Sequence, residues 1–254
     1  MKPEILSKRL QTVADMVTRG NRVCDVGCDH GYVSIYLVKQ GISPGVLAMD
    51  VREGPLNAAR EHVAEQDLAD KIETRLSDGL HNYNAEEAQS LVCAGMGGRL
   101  MRRILEADQH KTASFRELIL QPQSEIEQFR RFLRKNGYPI REEEMLEEDG
   151  KFYQVIRAVP ESVPRVRWTA GENVFSEDEL CKLEDRYGAV NLNKKTTVFL
   201  SYLSREERIY GEILENLCEN GLTDGKRASR YAQIKELLMD CRKVQAVLGH
   251  GKEF

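Results

Sequence analysis

The first half of the chain alternates between short apolar runs and stretches of helical periodicity, and this alternation limits the fold more than any other feature. Each apolar run ends at or near a glycine or a polar residue, as buried strands do before a turn. Between the runs, apolar residues recur every three or four positions, as in helices that cover a sheet. This alternation predicts a doubly wound, mostly parallel sheet. The predicted strands are 22–27, 45–50, 71–76, 90–95 and 117–121, and the predicted helices are 3–19, 31–40, 53–66, 97–107 and 125–136.

The pattern changes near residue 140, where two strand signals follow each other without a helix between them. Residues 140–146 and 152–159 are separated by an acidic turn that ends at Gly150, and they predict a hairpin. This hairpin would complete a seven-stranded sheet with an antiparallel strand at one edge. Pro160 then marks a boundary, so the predicted domains are 1–160 and 161–254.

The second predicted domain is helical throughout. Helices are expected over 176–187, 194–220 and 227–248, with a turn at 221–225. The last two helices carry heptad stripes, of which the first is broken at Glu207, and such stripes predict an antiparallel coiled-coil hairpin. The alternative is that the two helices merely pack on the first domain.

Composition disfavours several classes of protein. The formal net charge is -4, so the chain lacks the basic excess that binds nucleic acid by bulk electrostatics, and any RNA contact needs a local basic patch. Six scattered cysteines, without paired spacing or a histidine cluster, predict free thiols rather than a metal site or a disulfide framework. We find no secretory signal and no apolar stretch of membrane-spanning length, which predicts a cytoplasmic protein.

The turn after the first strand carries the first candidate site residues. Residues 25–31, with the sequence DVGCDHG, contain two glycines with an acid, Asp29, between them. The pyrophosphate-binding turn of dinucleotide folds reads G-x-G-x-x-G, and a carboxylate in that turn would repel phosphate. A carboxylate instead suits a ligand that carries an ammonium or sulfonium charge. The turn therefore argues against NAD and for S-adenosylmethionine, which has both cations and no phosphate.

Further candidate contacts follow the next three predicted strands. Asp50 lies about twenty residues after the glycine turn, where a carboxylate can accept both ribose hydroxyls. Asp78-Gly79 follows the third strand, where a carboxylate could accept from an adenine amino group. Small residues at 94–95, followed by Met96, let the backbone approach a ligand after the fourth strand. Because the carboxyl ends of parallel strands meet at one edge of the sheet, we expect these residues to line a single crevice.

Together these motifs resemble a known family. The order Asp25-x-Gly27-x-x-x-Gly31, Asp50, Asp78 is similar to the class I S-adenosylmethionine-dependent methyltransferases, although their first motif usually has a glycine where Asp29 stands. The strings DVGCDHGY, LAMDV, SDGL, CAGMGG and LILQPQSE resemble the bacterial tRNA (adenine-N1)-methyltransferase family that modifies adenine 22, the TrmK family. The resemblance covers the chain to about residue 159 and implies a Rossmann-like domain followed by a helical coiled coil. It implies methyl transfer from S-adenosylmethionine to N1 of adenine 22 in tRNA.

The motifs and the resemblance define a set of expected site residues. Asp29 is the candidate catalytic residue, since its carboxylate could orient the adenine and stabilise the positive charge that develops on it. The alternative is that Asp29 contacts only the cofactor. The other expected cofactor contacts are Asp25, Gly27, Cys28, His30, Gly31, Asp50, Val51, Asp78, Gly79, Ala94, Gly95 and Met96. The expected tRNA contacts are Arg9, Arg99, Arg103 and, at the floor of a base pocket, Gln121.

Other functions stay open at this level. A class I methyltransferase for another RNA or a small molecule would share the cofactor motifs. Methylation of the exocyclic amino group of adenine is disfavoured, because the Asn/Asp-Pro-Pro-aromatic turn typical of that chemistry is absent after the fourth strand. A non-catalytic RNA-binding module is disfavoured by the full set of cofactor features. The helical hairpin is expected to be a tRNA-gripping arm, with a dimerisation element as the alternative, and the oligomeric state stays open.

Overall fold

The structure, a computed structural model, describes residues 6–160, 163–172, 174–219 and 225–249. The chain divides into two compact units between Val166 and Arg167. The first unit contains one seven-stranded sheet with the order β3-β2-β1-β4-β5-β7-β6. Its strands are β1 (Val23–Val26), β2 (Val46–Asp50), β3 (Ile72–Leu76), β4 (Ser90–Met96), β5 (Glu117–Pro122), β6 (Ile140–Glu148) and β7 (Lys151–Ala158).

Strands β1 to β5 run parallel to one another, and the closing hairpin adds β7 and β6 on the far side of β5. The predicted fold, a mostly parallel seven-stranded sheet with an antiparallel edge, is therefore confirmed. Strand β7 is the antiparallel one, and it lies between β5 and β6. The side chains explain this order. Strand β6 carries the charged run 141–144 and forms the edge, whereas β7 contributes the fully buried Val155 and Ile156.

Helices cover both faces of the sheet, as a doubly wound sheet requires. The first unit contains α1 (Lys8–Asp15), α2 (Tyr32–Lys39), α3 (Glu53–Glu65), α4 (Gly98–Ala107), α5 (Gln109–Thr112) and α6 (Ile126–Lys135). Buried residues of α1, α2 and α3 form one core cluster with one face of the sheet. Buried residues of α4 and α6 form a second cluster with the other face. The strands between the two clusters read as continuous apolar runs because both of their faces are buried.

The second unit is helical in its described residues. It contains α7 (Glu177–Tyr187), α8 (Ala189–Lys194), α9 (Thr197–Glu219) and α10 (Gly225–Leu248). Ser176 caps α7 by accepting from the backbone N–H of Glu179. The helix expected over 194–220 is interrupted at its start, because Lys195 adopts a left-handed conformation and separates α8 from α9. The predicted turn at 221–225 lies almost entirely outside the described residues.

Helices α9 and α10 pack against each other. The Cys241 thiol lies 3.4 Å from the carbonyl oxygen of Leu203. Where the heptad stripe of α9 is broken, Glu207 accepts a hydrogen bond from Arg242 at 2.9 Å, so the irregular position forms an ion pair with α10. The supercoil itself stays a prediction.

Several element boundaries differ from the sequence prediction. Helix α1 spans Lys8–Asp15 rather than 3–19, and residues 3–5 of its predicted range lie outside the described residues. The short helix α5 was not predicted. Among the described residues, no helix combines the length and apolarity of a membrane span, and all six cysteines are free.

Candidate active site

A cavity of about 580 Å³ opens at the carboxyl ends of the parallel strands, where the strand order reverses between β1 and β4. Most of the residues that the sequence singled out line it. From the expected cofactor set these are Asp25, Gly27, Cys28, Asp29, Asp50, Val51, Asp78, Gly79, Ala94, Gly95 and Met96, and from the expected tRNA set Arg9 and Arg103. Four expected residues, His30, Gly31, Arg99 and Gln121, are not part of its lining.

The turn between β1 and α2 is built from three left-handed residues in close succession. Gly27, Asp29 and Gly31 have φ values of 75°, 50° and 77°. A Cβ on Gly31 would lie 3.2 Å from the Cβ of Ala59, so this glycine lets α2 and α3 approach closely. Gly31 thus shapes the turn and is not among the residues that line the cavity, so its contact with the cofactor stays a prediction.

Several backbone N–H groups of this turn are used within the protein. The N–H groups of Gly27 and Cys28 both donate to the carbonyl of Met49, at 2.8 and 3.0 Å. The N–H of Asp29 donates to Asp50 Oδ2 at 3.3 Å. A pyrophosphate needs such groups free and pointing at it. The start of the turn therefore offers few donors to a phosphate, which agrees with the argument from the acidic residue.

Asp25 and Asp50 are buried carboxyl groups at the wall of the cavity. Burial raises the pKa of Asp25 from 3.8 to about 6, opposed by a hydrogen bond from Ser34 Oγ at 2.7 Å and reinforced by the charge of Asp50. Asp50 accepts from the backbone N–H of Arg52 at 2.9 Å, besides its bond from Asp29. Each Asp50 oxygen keeps lone pairs that can accept ligand hydroxyls.

Asp29 presents an accessible carboxylate. Its backbone is fixed by the hydrogen bond to Asp50, while 62% of its side chain is exposed at the cavity. The neighbouring His30 Nε2 lies 3.8 Å from Asp29 Oδ1, while the His30 ring stacks with Tyr32 and packs against His62, and the His30 carbonyl lies 2.9 Å from His62 Nδ1. His30 is not among the residues that line the cavity, and its cofactor contact stays a prediction.

Small residues after β4 bring backbone to the other side of the cavity. Gly95 has a φ of 79° and is exposed. The Met96 methyl group lies directly against Gly27, and a Cβ added to Gly27 would come within 2.0 Å of that methyl group. A side chain on Gly98 would lie 2.7 Å from the carbonyl oxygen of Ser124, so the start of α4 packs directly on the loop after β5. The Met96 side chain therefore gives this side of the cavity an apolar surface.

Gln121 has a different place from the one expected. It is fully buried at the end of β5, where its Oε1 accepts from Arg9 Nη1 at 2.8 Å and from the N–H of Gly95 at 3.2 Å. The floor of a base pocket is therefore not formed by Gln121, and Gln123 reaches the cavity instead. Arg99 is exposed on α4 outside the cavity, with its backbone N–H bonded to Glu125.

The cavity also has lining residues that the sequence argument missed. They come from α1, from α2, from the turns after β2 and β3, from α4 and from the loop after β5. The helical spacing of Leu100, Arg103 and Ile104 could have shown that one face of α4 meets the site. Tyr32 and Ser77 have no such signal. The missed residues include Leu10, Tyr32, Val33, Arg52, Ser77, Leu100, Ile104 and Gln123.

The donor set fits a ligand with hydroxyl groups and positive charge. Three carboxylates from β1, β2 and the intervening turn face the cavity, and the N–H groups of Gly27 and Cys28 already donate to the carbonyl of Met49. Within the described residues, no group of histidines, cysteines or acids has the arrangement of a metal site. This chemistry matches S-adenosylmethionine.

Comparison with known proteins agrees with the fold. Residues 6–156 match the family model described as a methyltransferase domain. The tRNA (adenine(22)-N(1))-methyltransferase of Bacillus subtilis (strain 168) is 32% identical over 247 residues, which cover 97% of this chain and 98% of that protein. The chain therefore belongs to the tRNA (adenine(22)-N(1))-methyltransferase family, as the sequence motifs indicated.

Solved structures give the same result. The crystal structure of the B. subtilis M1A22 tRNA methyltransferase TrmK aligns with a TM-score of 0.80 at 31% identity, over 94% of this chain and 98% of that one. A Streptococcus pneumoniae relative in complex with S-adenosyl-L-methionine aligns with a TM-score of 0.78 at 29% identity, over 94% of this chain and 99% of that one.

Proposed function

We propose that the chain transfers a methyl group from S-adenosylmethionine to N1 of adenine 22 in tRNA. The observation that carries this proposal is the likeness to the B. subtilis enzyme over 97% of the chain, which includes both units. The cavity adds an independent chemical argument, because its carboxylates suit a cationic nucleoside ligand and its turn does not suit a phosphate. We assign the methyltransferase domain to 1–160 and the helical domain to 161–254.

S-adenosylmethionine supplies a methyl group that its sulfonium already activates, so the protein's main task is to position the accepting nitrogen. We assign Asp50 to the ribose hydroxyls and the Gly27 turn to the methionyl part. Asp78 and Gly79, at the end of β3, take the adenine of the cofactor. Met96 and Ala94 contribute the wall opposite. These assignments follow from which strand end each residue occupies.

Asp29 is the residue we assign to the target base. Its carboxylate is the accessible one beside the buried Asp25 and Asp50, and its backbone is held by Asp50. A carboxylate there accepts from the exocyclic amino group of adenine and orients ring N1. It also stabilises the positive charge that methylation creates on the base, which a fixed anion does well in a partly desolvated site.

Binding of tRNA needs a local basic surface, since the chain as a whole has a formal net charge of -4. Arg103 lines the cavity, and Arg99 lies exposed on the same helix one turn earlier. We assign these two residues to the tRNA backbone near the target base, and the helical domain to a gripping arm farther along the tRNA. With this substrate we also propose a cytoplasmic location.

The test is methyl transfer from labelled S-adenosylmethionine to unmodified tRNA, followed by nucleoside analysis. We expect label only in 1-methyladenosine, and none when adenine 22 of the tRNA is replaced by guanine. Label in another nucleoside, or label that persists in the replaced tRNA, would contradict the proposed target.

The variant Asp29→Asn tests the role of the carboxylate with an almost unchanged shape. We expect kcat to fall by about 10²- to 10³-fold, the cost of removing one charge-stabilising group, while the Kd for S-adenosylmethionine stays within about twofold. The exposed variant Asp70→Asn is the matched control. A loss of cofactor binding equal to the loss of turnover would assign Asp29 to the cofactor alone.

A further inference from the structure

Gln123 presents to the cavity a side-chain amide that the protein itself does not use. The residue directly follows β5, is exposed and lines the cavity. Within the described residues, neither the oxygen nor the nitrogen of its side-chain amide forms a hydrogen bond. Gln121, two residues earlier, is buried and uses its amide within the protein. Gln123 therefore offers both an acceptor and a donor to a molecule in this part of the cavity.

The backbone around Gln123 is fixed by the neighbouring strand end. Its N–H donates to the carbonyl of Met96 at 2.8 Å, and the N–H of Gly98 donates to the carbonyl of Ser124 at 3.0 Å. These two hydrogen bonds tie the loop after β5 to the turn after β4. Only the side chain of Gln123 therefore has to become ordered when it binds a ligand, which keeps the entropic cost of the contact small.

Open space lies beside the Gln123 amide. Gly95 is exposed there, and a Cβ added to it would lie 3.9 Å from Gln123 Nε2. Asp29, in the turn after β1, lines the same cavity, and β4 lies between β1 and β5 in the sheet. The backbones of Asp29 and Gln123 are thus two strand spacings apart, about 10 Å. Their side chains extend into this gap, where a single nucleobase can meet both of them.

The role assigned to Asp29 does not by itself select adenine. A carboxylate that accepts from an amino group beside a nucleophilic ring nitrogen fits N6 and N1 of adenine. It fits N4 and N3 of cytosine equally well, because cytosine also presents an amino donor next to a ring nitrogen with a lone pair. Selection of adenine therefore needs a second contact, to an atom that cytosine lacks.

The ring nitrogen N7 of adenine is such an atom. N1 has to face the methyl group of the cofactor, so a protein donor cannot occupy it. The adjacent donor and acceptor that remain are the second hydrogen of N6 and the lone pair of N7. The oxygen and nitrogen of a glutamine amide match these two groups at the same time.

We propose that Gln123 binds N6 and N7 of the target adenine and so distinguishes it from cytosine. Asp29 accepts the N6 hydrogen on the N1 side, and Gln123 accepts the one on the N7 side while its Nε2 donates to N7. The inference rests on the proposed function, because it takes an adenine of tRNA as the methyl acceptor.

Two tRNAs that differ in one ring position test the proposal. One carries adenine at position 22, and the other carries 7-deazaadenine, in which a C–H group replaces N7. The measured quantity is the ratio of their kcat/KM values. This ratio should be about threefold to tenfold larger in the wild type than in Gln123→Ala, the effect of one neutral hydrogen bond. The intrinsic reactivity of the two bases cancels in this comparison. Gln128→Ala, exposed on α6, is the matched control and should keep the wild-type ratio.

Gln123→Glu provides a second variant. Its carboxylate still accepts from N6 but turns an oxygen toward the lone pair of N7, so it should lower the ratio below that of Gln123→Ala. The Kd for S-adenosylmethionine should be unchanged in both variants.

A wild-type ratio in Gln123→Ala would overturn the proposal. Together with a raised Kd for S-adenosylmethionine, it would assign Gln123 to the cofactor. Together with a raised KM for both tRNAs, it would assign Gln123 to a part of the tRNA outside the target base. If the wild type methylated position 22 of neither tRNA, the proposed function itself would fail, whereas the outcomes above leave it intact.

Discussion

The Asp25 carboxyl group is buried in the folded protein, and its surroundings oppose its ionisation. Burial at the end of β1 raises its pKa to about 6, and the charge of the nearby Asp50 adds to this effect, while Ser34 Oγ partly offsets it. Asparagine has nearly the same shape and an amide oxygen that can still accept from Ser34. We therefore expect Asp25→Asn to stabilise the protein at neutral pH.

The magnitude follows from linkage between ionisation and folding. A rise in pKa from 3.8 to about 6 corresponds to about 3 kcal/mol, since each pH unit of difference is worth about 1.4 kcal/mol. For an acid whose pKa is raised by folding, the folded state pays no ionisation penalty below pH 3.8, where the group is protonated in both states. This stability is lost as the pH rises through 6, where the carboxyl group must ionise in the folded protein. The wild type therefore carries the full penalty at pH 8, and the asparagine variant carries none.

Urea unfolding of the ligand-free protein, followed by circular dichroism between pH 4.5 and 8, measures this difference. The free energy of unfolding of Asp25→Asn should exceed that of the wild type by an amount that grows by about 2 kcal/mol across this range. The exposed Asp70→Asn should show no such growth. A difference for Asp25→Asn that does not change with pH would refute the reasoning, whatever its size.

Two further substitutions test the packing around the cavity and its supporting hairpin. Gly98→Ala should destabilise the protein by about 1–3 kcal/mol in thermal unfolding, since its Cβ would lie 2.7 Å from the carbonyl oxygen of Ser124, whereas Gly54→Ala, in a helix with open space around it, should not destabilise it. Arg130→Met should cost about 3–5 kcal/mol in urea unfolding, because it leaves Glu143 buried after losing its 2.6 Å ion pair, and adding Glu143→Gln should recover part of the loss. Equal stability of the two glycine variants, or no recovery in the double variant, would contradict the respective packing and charge arguments.

Periodicity predicted the sheet and the location of the site because each depends on local signals. Apolar runs ending in glycine or aspartate indicate parallel strands, and the strand ends of such a sheet meet at one edge. The sequence alone therefore predicts that Asp25, Asp29 and Asp50 lie at one cavity, as they do.

The errors arose where contacts between distant segments decide the role of a residue. Gln121 was expected at the floor of a base pocket, but the side chain of this strand residue points into the protein and bonds Arg9, 112 positions away. Nothing in its local sequence distinguishes these two places. Likewise, Lys195 has no turn signature, yet its left-handed backbone divides the predicted long helix.

The position of β7 between β5 and β6 has a consequence for synthesis on the ribosome. Strand β6 leaves the ribosome first, but its backbone partner is β7, and β7 is also the partner of β5. A nascent chain that ends before Lys151 therefore exposes the open edge of β5, although all five parallel strands are already present. Such an edge is a template for pairing with other chains. The last strand to be made thus closes the sheet from within, and ribosomal pausing before residue 151 would prolong the interval in which the nascent protein is open to aggregation.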